Sequence, residues 1–232
     1  MQIALFEGVS GAGKTTLLQH IKKKIIEQNH SKFTQLFFSE HMTERVFEPA
    51  FHDGVLHSDH VKAHLMGIIS HLEDLSKAYT LSPFARSPKP VCQAFIERFG
   101  ISHCLKQYLT EDDLNTVFQK FSCLHSPVIL FHLQLKEEQI FNNIQRSLTH
   151  RDQAWADYVE TQGGVERIAD KLWAEQKQAT SLIETLSPYI YVKYLDMSSS
   201  DYASLAEHIL KEMGEGHPQE KNALPEERNV KG

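Results

Sequence analysis

The sequence predicts a three-layer α/β fold: a parallel sheet of about five strands, helices on both faces and a lid segment. Three observations predict it. Short apolar runs of strand type alternate with helical patterns along the chain, and parallel neighbours need crossover helices, so such alternation makes a sheet covered on both faces. The octapeptide Gly8-Val9-Ser10-Gly11-Ala12-Gly13-Lys14-Thr15 fits G-x-x-x-x-G-K-[ST], a P-loop whose glycines let the backbone turn tightly enough to aim successive N–H groups at a polyphosphate. At 232 residues and 41% hydrophobic, the chain is long enough for one well-buried core and too short to make two large domains.

Each element follows in order. Gln2 to Phe6 is a short apolar strand, and Thr16 to Ile21 opens a helix running to about Gln28, so the glycine turn sits at a helix N-terminus facing an anion. Phe33 to Ser39 reads as a second strand that delivers Glu40, followed by a polar loop. Val61, Leu65, Ile68, Ile69, Leu72 and Leu75 recur at helical spacing between about Asp59 and Tyr79, and the prolines between Ser82 and Pro90 end that helix. Val91 to Phe95 is a buried strand ending in Ile96-Glu97-Arg98-Phe99, with a charged pair where the strand should emerge. Helices are expected over Ser102 to Leu109 and Glu111 to Leu124, then a strand at Val128 to Leu133 and a helix carrying Arg146. A long helical region from about Ala154 to Leu186 should break at Gly163-Gly164. Tyr189 to Leu195 is the fifth strand, and Tyr202 to Met213 the last helix. The domain thus spans 1–213, with a lid at about 146–153. Residues 214–232 hold few apolar side chains and are expected to be disordered.

A net charge of −6 and a pI near 6.1 argue against a general nucleic-acid or membrane-surface binder, because phosphate backbones are held by surplus Lys and Arg. Cys92, Cys104 and Cys123 form neither a CxxC pair nor a disulfide framework, which suits a reducing compartment. No apolar run approaches the roughly 18 residues of a spanning helix, and the N-terminus enters the first strand without a leader pattern. The expectation is a soluble, unprocessed, cytoplasmic protein with neither nucleic-acid polymer nor membrane as partner. A homodimer is left open.

Ligands of such sheets lie beyond the carboxyl ends of the strands. Gly8, Ser10, Gly11, Ala12, Gly13, Lys14, Thr15 and Thr16 should therefore share one cleft with Glu40, Glu97 and Arg98. Phosphoryl transfer needs a phosphate cradle, a metal, cations on the moving group and something to orient the acceptor. Lys14 suits the outer phosphates of ATP, and the Thr15 hydroxyl suits Mg2+. Glu97, taken as the only acid ending a central strand, suits the same ion directly or through water. Arg98 can clamp the acceptor or its phosphate. Glu40 can take a proton from an acceptor hydroxyl, with Glu44 and Glu48 competing for that role. Arg146 and Arg151 supply mobile cations for a closing lid, with Lys136 a weaker candidate. His57, His60 and His64 face together at spacings of three and four, but no H-E-x-x-H pattern accompanies them. Phe47, Phe51 and Phe84 suit either a stacking wall or the core.

These residues resemble the thymidylate kinase and deoxynucleoside kinase group of P-loop kinases. Phe6-Glu7-Gly8 leading into Gly11-Ala12-Gly13-Lys14-Thr15-Thr16 is similar to the thymidylate kinase opening. Glu97-Arg98-Phe99 resembles the Asp-Arg-aromatic motif of thymidylate kinases and the Glu-Arg-Ser motif of deoxynucleoside kinases. Ser39-Glu40 falls where the latter carry the glutamate that activates the sugar hydroxyl. The resemblance implies transfer of the ATP γ-phosphoryl to a nucleoside or nucleoside monophosphate, with Arg98 on the acceptor and Lys14, Arg146 and Arg151 on phosphates. The resemblance offers Arg86 as the counterpart of a base-reading arginine in or after the third helix, but only ten residues separate it from Glu97 and no helix fits between them. A kinase of a non-nucleotide hydroxyl metabolite or antibiotic is the alternative, and a P-loop ATPase or switch module stands behind it. The absence of Asn-Lys-x-Asp and of a transporter-type glycine signature favours transfer.

Overall fold

The computed structural model describes residues 1–27, 34–82, 92–124, 126–199 and 201–214. Strand β1 (Gln2–Glu7) is buried along its whole length, the pattern of a strand covered on both faces. It pairs in parallel with β3 (Cys92–Glu97) and β4 (Val128–Gln134), while β2 (Thr34–Phe38) and β5 (Tyr191–Asp196) form the edges, giving the order β2-β3-β1-β4-β5. Helix α1 (Lys14–Glu27) follows β1. Among the described residues, four helical pieces lie between β2 and β3: α2 (Glu40–Thr43), a 3-10 turn (Arg45–Phe47), α3 (Glu48–His52) and the long α4 (Ser58–Leu81). Helices α5 (Ile101–Leu105) and α6 (Glu111–Ser122) lead to β4. Then α7 (Glu137–Ser147), α8 (Gln153–Thr161) and α9 (Val165–Leu186) lead to β5, and α10 (Tyr202–Gly214) closes the domain.

Side chains alternate across β1 with the period of two that a strand imposes, so one strand feeds two cores. Ile3 and Leu5 join Leu65, Ile69 and Leu72 of α4 and Val117, Phe118 and Phe121 of α6 on one face. Ala4 and Phe6 join Leu17 and Ile21 of α1, Ile140 of α7 and Ile209 of α10 on the other. Helix α9 serves both, with Ile168 and Leu172 in the second core and Leu182, Ile183 and Leu186 in the first. Each of the large side chains among them, fully buried, contributes about 1.5–3 kcal/mol of transfer free energy.

Two expectations are corrected. The segment after Glu40 is helical rather than a polar loop. The helix expected to reach Leu109 stops at Leu105, two residues before Gln107 takes a left-handed φ of 61°. The break at Gly163-Gly164 is present, with φ of 93° and 94° separating α8 from α9. Phe84, Arg86 and the tail beyond Gly214 lie outside the described residues. Among the described residues, no helix is long and apolar enough to cross a membrane.

Candidate active site

Strand β1 carries the chain to the carboxyl edge of the sheet, where the glycine turn passes it into α1. Gly8 runs so close to β4 that a Cβ there would stand 2.8 Å from the Leu133 carbonyl oxygen. Gly13 has φ of 86°, and a Cβ there would lie 2.8 Å from Cε1 of Tyr202, whose ring covers the turn. The Lys14 ammonium donates to the carbonyls of Gly8 at 2.8 Å and Val9 at 3.0 Å. Burial, reinforced by Arg98, holds its pKa well below the ordinary lysine range, against the pull of Glu97 and Glu7. Because Phe6 pairs with Glu97 in the sheet, the end of β3 stands beside the start of α1. There the Thr15 hydroxyl donates to Glu97 Oε1 at 2.8 Å.

A cavity of about 340 Å³ opens over this turn. Ser10, Gly11, Gly13, Lys14, Thr15 and Thr16 line it together with Asn143, Arg146 and Arg151. Asn143 donates to the Gly11 carbonyl at 3.2 Å. The Arg151 guanidinium stacks 4.5 Å from the Trp155 ring, whose indole N–H donates to Ser147 Oγ at 2.8 Å, so an aromatic shelf carries this arginine.

Arg98 forms the boundary with a second, larger cavity of about 1060 Å³. Its backbone N–H donates to the Phe6 carbonyl at 3.0 Å and its φ is 54°, a left-handed turn at the point where β3 ends. The guanidinium donates to Glu40 at 2.9 Å, Glu44 at 3.4 Å and Ser10 Oγ at 3.3 Å. Burial opposes the Arg98 charge, but Glu44 and Glu40 outweigh it and hold its pKa above the usual arginine value. Burial also pushes Glu44 upward and is outweighed by Arg98 and Lys106, leaving the carboxyl at about 2. Glu40 is likewise held low by Arg98 and Arg45. His103 supports this wall: Nδ1 accepts from the Gly100 N–H, so the proton sits on Nε2 and is donated to the Thr43 carbonyl at 2.7 Å. Burial lowers the His103 pKa to about 4 and keeps the ring neutral.

Strand, glycine turn and helix, set in an all-parallel sheet with Glu97 against Thr15, decide the architecture. The chain has a three-layer P-loop fold. No family model and no curated protein matches it. Among solved structures it is similar to a shikimate kinase from Acinetobacter baumannii in complex with shikimate, at 16% identity over 90% of each chain and a TM-score of 0.49. It is also similar to a deoxyadenosine kinase from M. mycoides with bound dATP, at 14% identity over 91% of this chain and 100% of the other, with a TM-score of 0.42.

The fold brings Gly8, Ser10, Gly11, Gly13, Lys14, Thr15, Thr16, Glu40, Glu97, Arg98, Arg146 and Arg151 to the two adjoining cavities. Ala12 is buried behind the turn, and Lys136 lies at the start of α7 and lines neither cavity. Glu97 is not the only acid at the end of a central strand, because Glu7 ends β1, fully buried, with its carboxyl pushed up by burial against the pull of Arg98. Phe47 packs edge-on against His64 and His103, whereas Phe51 lines the larger cavity beside Tyr108. His57 meets His60 edge-on, and His64 donates to the Met42 carbonyl.

Arg45, Lys106, Asn143, Trp155 and Tyr202 escaped the sequence reading. Asn143 stands three residues before Arg146, hence on the same helix face, and that spacing was a usable signal. Tyr202 meets Gly13 only through tertiary packing, so nothing local announces it.

Proposed function

We propose that the chain is a kinase that moves the γ-phosphoryl group of Mg-ATP onto a small-molecule acceptor, a nucleoside or nucleoside monophosphate being the favoured class. The observation that carries this is the 2.8 Å contact of Thr15 with Glu97 beside a glycine turn that joins the larger cavity through Arg98 and Glu40. The donor set fits the expected ion. A hydroxyl and a carboxylate oxygen side by side are hard ligands of the kind Mg2+ accepts, usually with water and phosphate completing its shell. Thr15 and Glu97 would hold it, and bound there it would neutralise charge on the β- and γ-phosphate oxygens.

The remaining roles belong to the protein. The glycine turn and Thr16 cradle the phosphates, and Lys14 turns from the Gly8 and Val9 carbonyls toward the outer ones. Arg146 and Arg151 bring positive charge from the lid, where excluded water strengthens it. Arg98 and Glu40 orient the acceptor at the boundary of the two cavities. Transfer is tested with purified protein, Mg-ATP and a panel of nucleosides, nucleoside monophosphates and hydroxylated antibiotics. ADP release should rise with one acceptor class, with labelled γ-phosphate recovered on it. Release that no acceptor alters would make the chain an ATPase or switch.

A further inference from the structure

Six side chains alternate in sign along the wall of the larger cavity. Arg45 meets Glu40 at 2.6 Å, Arg98 meets Glu40 at 2.9 Å and Glu44 at 3.4 Å, and Lys106 meets Glu44 at 2.6 Å and Glu48 at 3.4 Å. Three cations answer three carboxylates, so the row is neutral. The side chains of Arg98 and Glu44 are only 10% and 3% exposed, so water cannot replace a partner that either one loses.

Three further carboxyls line the same cavity, one of them Asp152 at the exposed start of α8. Glu7 Oε1 is buried with no hydrogen-bond partner among the described residues, and Glu175 projects from α9. The cations outside the row, Arg151 and Lys171, are exposed.

A phosphate monoester brings nearly two negative charges at neutral pH. To hold it, Arg98 would have to abandon a buried carboxylate, and separating a buried ion pair leaves an uncompensated charge in a low-dielectric place. Glu7 and Glu175, whose carboxyls burial pushes up, offer such an anion no positive charge. A hydroxyl brings no charge and donates hydrogen bonds to carboxylates. Resting on the kinase reading proposed above, we infer that the acceptor of this cavity is a neutral hydroxyl compound rather than a phosphate ester.

Glu40 lines both cavities and is the group placed to receive the proton. In the balanced step the acceptor O–H bond breaks and its oxygen bonds to the γ-phosphorus. The bond from that phosphorus to the β,γ-bridging oxygen breaks, ADP departs with the electron pair, and the proton passes to Glu40.

The test pairs each of the common deoxynucleosides with its own 5′-monophosphate and adds hydroxylated antibiotics, all with Mg-ATP. The expected result is a kcat/KM at least tenfold higher for a neutral hydroxyl acceptor than for any monophosphate. Equal or better transfer to a monophosphate would remove the hydroxyl assignment alone. ADP release that no acceptor alters would remove the kinase reading and the assignment with it.

A binding measurement checks the charge accounting independently of turnover. With the glycine turn saturated by Mg-ADP, calorimetry with nucleoside monophosphates should show at least fivefold tighter binding to Glu44→Gln than to the wild type, because one carboxylate no longer competes for Arg98. Glu40→Gln, at a more open position, should move the same way if Glu44→Gln does not fold. Unchanged monophosphate affinity in the folded variants would overturn the inference.

Discussion

Lys14→Met separates the chemical part of Lys14 from its structural one. In the free protein the ammonium is buried and holds the carbonyls of Gly8 and Val9 at 2.8 and 3.0 Å. Removing it strips two loop carbonyls of a donor, at about 1–3 kcal/mol each if they remain buried and unmet. The opposing effect is of similar size. Burial disfavours the charged ammonium, which is why its pKa lies well below the lysine range, and methionine carries no charge to desolvate. The two contributions offset, so the net stability change should stay within about 1 kcal/mol, or about 2–4 °C in Tm for a chain of this length. The kinetic effect is not offset, because loss of one charged donor at a developing charge costs about 10²–10³ in kcat. The assay is ADP release with the identified acceptor beside a thermal melt of the same sample. Unchanged kcat would remove Lys14 from the phosphates, and a Tm lower by about 10 °C would make it a structural residue.

Glu97→Gln keeps the shape beside Thr15 but removes the carboxylate charge, so the Mg2+ concentration for half-maximal turnover should rise by about 10–100-fold; an unchanged Mg2+ titration would count against the proposed metal position. Gly13→Ala places a methyl group against the Tyr202 ring at φ of 86°, and denaturant unfolding should show a loss of about 1–2 kcal/mol from the left-handed backbone alone. Adding Tyr202→Ala should relieve the clash but not that backbone cost, and full recovery would show that the ring was the whole problem. His132→Leu tests a pH effect: the ring is fully buried, Nδ1 has no partner among the described residues, and burial lowers its pKa from 6.5 to about 4. As pH falls through 6.5 the unfolded chain takes a proton that the folded ring refuses, so stability drops by about 3 kcal/mol between 6.5 and 4 and then levels. The leucine variant should lose that portion of the slope in Tm against pH, while His103 keeps its own; an unaltered slope would contradict a buried neutral His132.

The first strand and the glycine turn were legible because both are local. The buried run of β1 and the octapeptide after it announce themselves in about a dozen consecutive residues. The segment from Glu40 to His52 did not, because helical pieces of three to five residues are too short to show a 3.6-residue period. Its misreading hid Arg45 and left Glu40, Glu44 and Glu48 as rivals, although they divide one task as alternate members of a charge row. Glu7 was hidden differently. It continues the apolar strand by one residue, and only the structure shows a carboxyl there with one oxygen unmatched. The left-handed turn at Arg98 has no glycine to mark it, so the sequence located the residue but not the reason it faces the cleft.

In the proposed reaction one turn of chain holds a magnesium triphosphate with its terminal phosphoryl facing the cavity beyond Arg98. A crystal structure with Mg2+ and a non-hydrolysable ATP analogue tests it most directly. The phosphates should be seated along residues 8–16, with the Lys14 ammonium moved from the Gly8 carbonyl to the outer phosphates and the metal beside Thr15 and Glu97. An empty glycine turn in such crystals, or a nucleotide bound with Glu97 and Arg98 facing away from its terminal phosphate, would contradict it.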